Sequence, residues 1–283
     1  MRDTVIGIDI GATKIHMGIV NASRVIKDHV IPTSAKASKE QIIQEIIEGI
    51  EKLANDDFKG IGIGVPGLVN VEKGIIYDLW NIPSWKEVFL KDHLERYFNK
   101  PVKIINDANS FAMGEKKYGI GKDYSNFVGV SLGTGYGTGI IINNELYSGT
   151  LSGAGELANI PYLDKTIEDY CSGKFFRSHY GEEGSVLYKR AEEGDREALK
   201  AFDDFGKHLG ESFKLILYVL APEAIILGGS VSKAFRFFEG SLQERINSFP
   251  FKRITEKVKI VPSIVSDVSL LGPAALFDDD SAC

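Results

Sequence analysis

The chain is poor in cysteine and histidine and lacks any long apolar run. Its 283 residues include only two cysteines, Cys171 and Cys283, too few for a disulfide framework or a thiolate metal site. The five histidines are scattered without the spacing of metal ligands. No apolar run approaches the ~20 residues of a membrane-spanning helix, and the first residues do not read as a signal peptide. These absences predict a cytoplasmic protein.

Positive charge is also scarce. Lysine and arginine together number 33 against 39 aspartates and glutamates, which gives a net charge of -6. Such a balance argues against nucleic acid or an anionic membrane as a partner. A phosphate-bearing ligand would then need backbone amides, a metal ion or single lysines. We expect small-molecule partners, with no nucleic acid and no membrane.

Glycine, in contrast, is frequent and occurs in a repeated pattern. Residues 6–14 read as strand, glycine turn and strand onset, and residues 128–136 repeat this pattern. Such long-range self-similarity predicts two related domains that face each other across a cleft. Glycine turns between strands leave backbone amides that favour phosphate. The cleft is therefore predicted to bind a nucleotide.

Ordinary β-hairpins are the alternative interpretation, because their turns also favour glycine and asparagine. The polar side chains of Asp9, Thr13, Lys14 and Thr134 favour phosphate binding, since a simple hairpin turn needs none of them. Neither the P-loop nor the Rossmann fingerprint fits, because the glycines have the wrong spacing and both turns lead into strands.

The remaining pattern is that of an α/β protein. An N-terminal domain is predicted over residues 1–118, with a C-terminal helix at about 268–277 packing back on it. A second domain is predicted over 119–267, with a helical insert at 166–221. The other predicted helices cover 38–55, 87–98, 108–118 and 231–248, and predicted strands cover 60–65, 102–105, 126–132, 138–142, 224–227 and 258–261.

Asn106 and Asp107 follow the strand at 102–105 directly. Ligands of α/β folds bind at this edge of the sheet, although an Asn-Asp pair before a helix is also a common cap. Beside a nucleotide cleft, a carboxylate at the end of a strand can accept the proton of an attacking hydroxyl group. Asp107 is therefore a candidate general base for phosphoryl transfer.

The chain resembles the ROK sugar kinases over residues 5 to about 277, in short motifs that occur in the family's order. These motifs are Asp9-x-Gly-x-Thr-Lys14, Gly64-x-Pro-Gly-x-Val69, Asn106-Asp107-Ala-Asn109, Gly133-Thr-Gly-x-Gly137, Gly155-Glu156 and Leu227-Gly228-Gly229. The resemblance implies two actin-like ATPase (ribonuclease H-like) α/β domains around a central cleft. It also implies ATP-dependent phosphorylation of a hexose, glucose first, at the 6-hydroxyl.

The resemblance implies a role for each matching residue. Asp107 is the catalytic base, and Asp9 lies near Mg²⁺, directly or through water. The implied sugar-binding residues are Gly67, Asn81, Asn106, Asp107, Glu156, Asn159 and Glu168. The implied ATP-binding residues are Asp9, Gly11, Ala12, Thr13, Lys14, Gly133, Thr134, Gly135, Gly137, Gly228 and Gly229. For Glu156 and Glu168 a solvated surface charge is the alternative. A homodimer is expected from the resemblance alone.

One segment departs from the family. Many members carry a histidine three residues after the Glu156 position, followed by a Cys-x-Cys-Gly-x-x-Gly-Cys loop, and these bind a structural zinc. Here the histidine position is Asn159, and residues 160–167 contain no cysteine. We therefore expect no zinc site. The lost histidine is also a usual sugar contact, which the Asn159 amide is expected to replace.

This departure leaves the sugar and the activity open to alternatives. Mannose, fructose, allose and N-acetylmannosamine compete with glucose as the substrate. A sugar-responsive repressor is disfavoured, because we expect Met1–Thr4 to be too short for a DNA-binding module. A catalytically silent sugar-binding protein is disfavoured because it would not need a phosphate-binding cradle.

Overall fold

The computed structural model describes residues 4–54 and 57–278. Its strands are β1 Thr4–Ile10, β2 Lys14–Asn21, β3 Arg24–Pro32, β4 Gly60–Val65, β5 Leu68–Asn70, β6 Ile75–Tyr77, β7 Glu87–Val88, β8 Val102–Asn106, β9 Phe127–Leu132, β10 Tyr136–Ile142, β11 Glu145–Leu146, β12 Pro161–Tyr162, β13 Lys165–Thr166, β14 Ala224–Gly228 and β15 Lys259–Pro262. Its helices are α1 Lys39–Leu53, α2 Leu90–Phe98, α3 Asp107–Tyr118, α4 Ile167–Cys171, α5 Lys174–Tyr180, α6 Gly184–Glu192, α7 Arg196–Val219, α8 Phe235–Asn247, α9 Lys252–Thr255 and α10 Val268–Ala274. The predicted α/β class is confirmed.

The chain divides into two compact units. Of the described residues, unit 1 holds 4–123, 139–154 and 264–278, and unit 2 holds 124–138 and 155–263. The main sheet of unit 1 has the order β3-β2-β1-β4-β8. Strands β1, β2 and β3 pair antiparallel, whereas β4 and β8 run parallel to β1. The carboxyl ends of β1, β4 and β8 therefore meet at one edge of the sheet.

Helix α1 covers one face of this sheet with the apolar stripe seen in the sequence. Ile42, Ile46 and Ile50 are fully buried in the core of unit 1. Ser38 caps the helix, and its hydroxyl oxygen accepts the Gln41 N–H at 3.2 Å. The Gln41 side chain donates to Glu45, so it does not return a bond to the Ser38 backbone as it would in a capping box.

Helix α10 packs against the main sheet of unit 1 at a position where strand β4 carries a glycine. A Cβ added to Gly62 of β4 would lie 2.1 Å from the carbonyl oxygen of Pro273 in α10. Because real Cβ atoms do not approach an oxygen this closely, only glycine lets the helix reach the strand. The C-terminal helix is therefore a structural part of unit 1.

The second main sheet repeats the topology of the first, with the order β11-β10-β9-β14-β15. Strand β14 runs parallel to β9 and β15. Helices α4 to α8 surround the apolar core of unit 2, to which the 24-residue α7 contributes Phe202, Phe205 and Phe213. None of the helices in the described part of the chain combines the length and apolarity that crossing a membrane requires.

The units differ from the predicted domains in three segments that lie in unit 1, residues 119–123, 139–154 and 264–267. Residues 139–154 were predicted in the second domain, but they have their contacts in unit 1. A Cβ on Gly139 would meet the Ala108 carbonyl oxygen at 2.4 Å, and the Ser152 hydroxyl donates to the Val69 carbonyl at 3.2 Å. The chain thus passes from unit 2 into unit 1 within β10.

Some predicted elements have other bounds in the structure. The helix predicted over 87–98 is wrong at its start, because Glu87 and Val88 pair with β6 and the helix begins at Leu90. The first turn of the helix predicted over 231–248 is a 3₁₀ helix, Val231–Ala234. The last turn of the helix predicted over 268–277 is also a 3₁₀ helix, Ala275–Phe277. The bounds of β4 match the prediction, residues 60–65.

Candidate active site

The predicted site residues fall into two groups, one in each unit. Unit 1 holds Asp9, Gly11, Ala12, Thr13, Lys14, Gly67, Asn81, Asn106 and Asp107. Unit 2 holds Gly133, Thr134, Gly135, Gly137, Glu156, Asn159, Glu168, Gly228 and Gly229.

Asn106 is the last residue of β8 and the N-cap of α3. Its side-chain oxygen accepts the N–H groups of Ala108 at 2.9 Å and Asn109 at 3.1 Å. Its side-chain nitrogen donates to the carbonyl oxygen of Gly67 at 3.2 Å. The side chain is 5% exposed. Asn106 thus holds the start of α3 against the turn that follows β4, and its sugar contact stays a prediction.

Asp107 is the first residue of α3, and its side chain is open to solvent. One carboxylate oxygen accepts the Ala108 N–H at 2.8 Å. Although the side chain is accessible, neighbouring protein atoms replace part of the water around its carboxylate. This desolvation raises the pKa of Asp107 above its ordinary value, and the hydrogen bond from the backbone N–H opposes the rise. A carboxylate that is accessible and more basic than usual suits a proton acceptor.

Asp9 lies near the end of β1, next to Gly64 on β4. Burial, and then repulsion by the Asp107 charge, raise the pKa of Asp9 from 3.8 to about 6. A hydrogen bond from Ser269 and the charges of His16 and Lys14 oppose this shift. The Asp107 charge thus disfavours ionisation of Asp9. The edge of the first sheet therefore carries an excess of negative charge.

The first glycine turn covers residues 11–13, and Lys14 already belongs to β2. The Gly11 N–H donates to the Lys14 carbonyl at 2.9 Å. Thr33 holds the carbonyl oxygens: its hydroxyl donates to Gly11 at 2.8 Å and its N–H to Thr13 at 3.0 Å. The backbone N–H groups of Ala12 and Thr13 donate to no acceptor within residues 4–54 and 57–278. The carbonyls of Gly11 and Thr13 are thus occupied while the amides of Ala12 and Thr13 are free, as an anion site requires.

The second glycine turn has the same organisation. It covers residues 133–135, and Gly137 lies in β10 because strand pairing resumes directly after the turn. The Gly133 N–H donates to the Gly135 carbonyl at 3.0 Å, and the Gly133 carbonyl accepts the Gly173 N–H at 2.8 Å. Thr134 at the tip is exposed. Within the described part of the chain, the N–H groups of Thr134 and Gly135 donate to no acceptor, so both turns leave backbone amides available to an anion.

Gly229 follows β14 in a conformation that requires glycine. Its φ angle is +81°, and an added Cβ would lie 2.2 Å from the Leu132 carbonyl oxygen at the end of β9. The backbone of Gly229 therefore lies directly against the strand that leads into the second turn. An adenosine contact at Gly228 and Gly229 stays a prediction.

The candidate sugar ligands of unit 2 differ in their surroundings. Glu156 and Asn159 are exposed, and the Asn159 amide donates to Glu156 at 3.4 Å. Glu168 is engaged by the protein: one oxygen pairs with the Lys174 ammonium and the other accepts the Tyr136 N–H at 3.2 Å. Sequence analysis did not single out Lys174 or Thr33, since neither belongs to a recognisable motif.

In unit 1, Asn81 occupies an exposed loop beside Gly67. Gly67 has φ +84°, and an added Cβ would lie 3.3 Å from the Leu79 side chain. The fully buried Trp85 anchors the loop, and its carbonyl accepts the Leu79 N–H at 3.0 Å. This chain of contacts connects Asn106, Gly67 and the loop that carries Asn81.

The segment that replaces the family's zinc loop forms the hairpin β12–β13. The Tyr162 hydroxyl hydrogen-bonds the His208 ring at 3.1 Å, and the ring of Tyr170 packs against both residues. No group of three or more His, Cys, Asp or Glu residues in the described ranges is arranged to hold a metal ion. Cys171 is fully buried, which raises the pKa of its thiol, so this sulfur is not reactive.

Comparisons with known proteins agree with this architecture. The ROK family model matches residues 5–280. A glucokinase from Thermotoga maritima is 28% identical over 97% of this chain and 97% of its own length. A xylose repressor from Bacillus subtilis is 28% identical over 91% of this chain and 72% of its own. The crystal structure of a ROK family glucokinase from Streptomyces griseus in complex with glucose and AMPPNP superposes with a TM-score of 0.82, 25% identity, and coverage of 96% and 98% of the two chains.

Proposed function

The chain belongs to the ROK family, and from this premise we propose that it is an ATP-dependent sugar kinase. The observation that carries the proposal is the Asp107 carboxylate, open to solvent at the β8–α3 junction and close enough to Asp9 for their charges to interact. A protein that only binds a sugar has no use for a basic carboxylate beside a second one.

Asp107 is proposed as the general base. Its position on the first residue of α3 is held by the Asn106 cap, and its raised pKa makes its carboxylate a better proton acceptor. In phosphoryl transfer it would take the proton of the sugar hydroxyl as that oxygen attacks the terminal phosphorus of ATP. General-base catalysis of this kind contributes about 10²- to 10⁴-fold in rate.

The carboxylate pair also fits a divalent cation. Mg²⁺ is bound through one or two carboxylates and completes its shell with water and substrate phosphates. Burial and then repulsion by the Asp107 charge raise the pKa of Asp9, and a bound cation would relieve that repulsion. We propose that Asp9 holds Mg²⁺, which would neutralise phosphate charge when bound.

The two glycine turns are proposed to bind the phosphates of ATP. Thr33 occupies the carbonyl oxygens of Gly11 and Thr13, and the Gly173 N–H occupies that of Gly133. The free amides of the turns present positive partial charge. Preorganised amides of this kind stabilise charge that develops on phosphate oxygens without reorganising during the reaction.

Glucose phosphorylated at the 6-hydroxyl is the proposed reaction. Two of the glucokinases found as relatives support it. Asn159 donates to Glu156, so these two side chains would present a donor and acceptors to sugar hydroxyl groups. Mannose, fructose, allose and N-acetylmannosamine remain the competing substrates.

A sugar-responsive regulator is the second candidate, favoured by the similarity to a xylose repressor. A regulator must bind a sugar but need not transfer a phosphoryl group. Turnover therefore separates the two functions.

The test is ADP release across a panel of these sugars, for the wild-type protein and two variants. Asp107→Asn is expected to reduce kcat by about 10²-fold or more with little change in sugar affinity, since the base acts in the transition state. The matched control is Asp92→Asn, which removes an exposed carboxylate from the first turn of α2 and should leave kcat unchanged. Sugar binding without any sugar-stimulated ADP release would reject the kinase and favour the regulator.

A further inference from the structure

A short segment of unit 2, Ser172–Lys174, lies beside the second glycine turn and near the residues that follow Gly229. The Gly173 N–H donates to the Gly133 carbonyl of the second glycine turn at 2.8 Å. An added Cβ on Gly173 would lie 2.9 Å from that oxygen and 4.0 Å from the Val231 side chain. Val231 follows Gly229 closely in sequence. The backbone of Gly173 therefore lies against the proposed phosphate-binding turn and near Val231, two residues after the proposed adenosine contact at Gly229.

The side chain of the next residue, Lys174, reaches the same turn. Its ammonium pairs with one oxygen of Glu168, and the other oxygen accepts the Tyr136 N–H at 3.2 Å. Glu168 thus bridges Lys174 and the end of the turn. The Lys174 side chain is 49% exposed and that of Glu168 is 29% exposed. The cation is accessible to an incoming anion.

The two glycine turns differ in positive charge if Lys174 is not counted with the second one. The first turn leads into Lys14, whereas residues 133–137 contribute a hydroxyl group but no cation. In a chain with a net charge of -6, polyphosphate needs local positive charge. Lys174 is the lysine that the structure links to the second turn.

We propose that Lys174 binds a phosphate group of the nucleoside triphosphate, and that this exchange releases Glu168 to accept hydrogen bonds from the sugar. The inference rests on the proposed function. An exposed ion pair contributes little stability, and a phosphate offers Lys174 more charge than a carboxylate does. Both Glu168 oxygens have partners within the protein, so a sugar must compete with them.

The exchange couples the two ligands. When a nucleotide phosphate pairs with Lys174, Glu168 becomes available to bind the sugar, and the affinity for the sugar rises. By linkage, a sugar that binds Glu168 releases Lys174 and raises the affinity for the nucleotide by the same factor. A purely structural ion pair would produce no such coupling.

The nucleotide arm of the test is calorimetric titration with Mg²⁺-AMPPNP and, separately, with adenosine. Lys174→Met is expected to weaken AMPPNP binding about tenfold, the loss of one charge-assisted hydrogen bond, and to leave adenosine binding unchanged. Lys174→Arg should restore most of the AMPPNP affinity. The control Lys165→Met removes an exposed lysine from the neighbouring strand β13 and should change neither affinity. AMPPNP affinity within twofold of wild type, or an equal loss for adenosine, would overturn the assignment.

The sugar arm is titration with glucose, or with the best substrate of the panel, without nucleotide. Lys174→Met is expected to bind the sugar about two- to fivefold more tightly, because breaking an exposed ion pair costs little and frees Glu168. Opposite changes for the two ligands cannot come from local misfolding. Unchanged or weaker sugar binding would contradict the release of Glu168.

The two proposals fail in different ways. If no sugar is turned over but Lys174→Met still weakens AMPPNP binding selectively, the kinase function falls and the phosphate contact stands. If turnover is found and the variant binds AMPPNP normally, the kinase function stands and this inference falls.

Discussion

Neutralising Asp9 should stabilise the ligand-free protein at neutral pH. Its carboxylate has a raised pKa of about 6 because of burial and the nearby Asp107 charge. An ionised Asp9 therefore costs folding free energy, which Mg²⁺ and nucleotide would otherwise offset. The substitution Asp9→Asn removes this charge and keeps the size of the side chain.

The magnitude follows from the pKa. The difference between 3.8 and about 6 is about two pH units, or roughly 3 kcal/mol at ~1.4 kcal/mol per unit. Below pH 4 Asp9 is protonated in both states and the cost is absent. Between pH 4 and 6 only the unfolded state loses the proton, so the stability of the wild-type protein falls as pH rises. Above pH 6 the full cost applies.

The assay is urea-induced unfolding followed by tryptophan fluorescence. The sequence has two tryptophans, Trp80 and Trp85, and both lie in unit 1 with Asp9. The stability advantage of Asp9→Asn over wild type is expected to grow from about 1 kcal/mol or less at pH 4.5 to roughly 3 kcal/mol at pH 7.5. The control Asp92→Asn should show no such growth. An advantage that does not depend on pH would refute the argument.

Further predictions concern packing, zinc and the sugar contact. Gly62→Ala should reduce stability by about 2 kcal/mol or more, because its Cβ would meet the Pro273 carbonyl oxygen. Gly240→Ala, where an added Cβ meets nothing within 4 Å in α8, should raise stability by about 0.5–1 kcal/mol; thermal unfolding of both variants checks this. A zinc-selective chelator should leave the melting temperature unchanged, and a fall on chelation would show that a zinc ion is present. Asn159→Ala should raise the sugar KM with little effect on kcat, whereas unchanged KM would remove Asn159 from the sugar site.

Some elements could be predicted well because their signals are local. The residues 60–65 alternate glycine with β-branched side chains and end at Pro66-Gly67, and β4 has these bounds. The stripe of isoleucines predicted α1, and the junction of strand and helix predicted the position of Asp107. The ROK resemblance, carried by short motifs, is confirmed over residues 5–280.

Other features could not be predicted because they depend on partners remote in sequence. Glu87 and Val88 form a strand only because β6 offers a free edge, and residues 139–154 join unit 1 through contacts with Ala108 and Val69. Thr33 bonds the first glycine turn from the loop that follows β3.

The amino-acid order alone therefore specifies the repeated strand and turn pattern, the acidic residue at 107 and the family, since periodicity, glycine turns and short motifs act over a few neighbouring residues. Folding alone decides that the Asp9 and Asp107 charges interact, that Thr33 holds the carbonyls of the first turn, and that Lys174 reaches the second turn through Glu168. These contacts arise only when strands and helices distant along the chain pack together, because charge, burial and hydrogen bonding depend on distance in space.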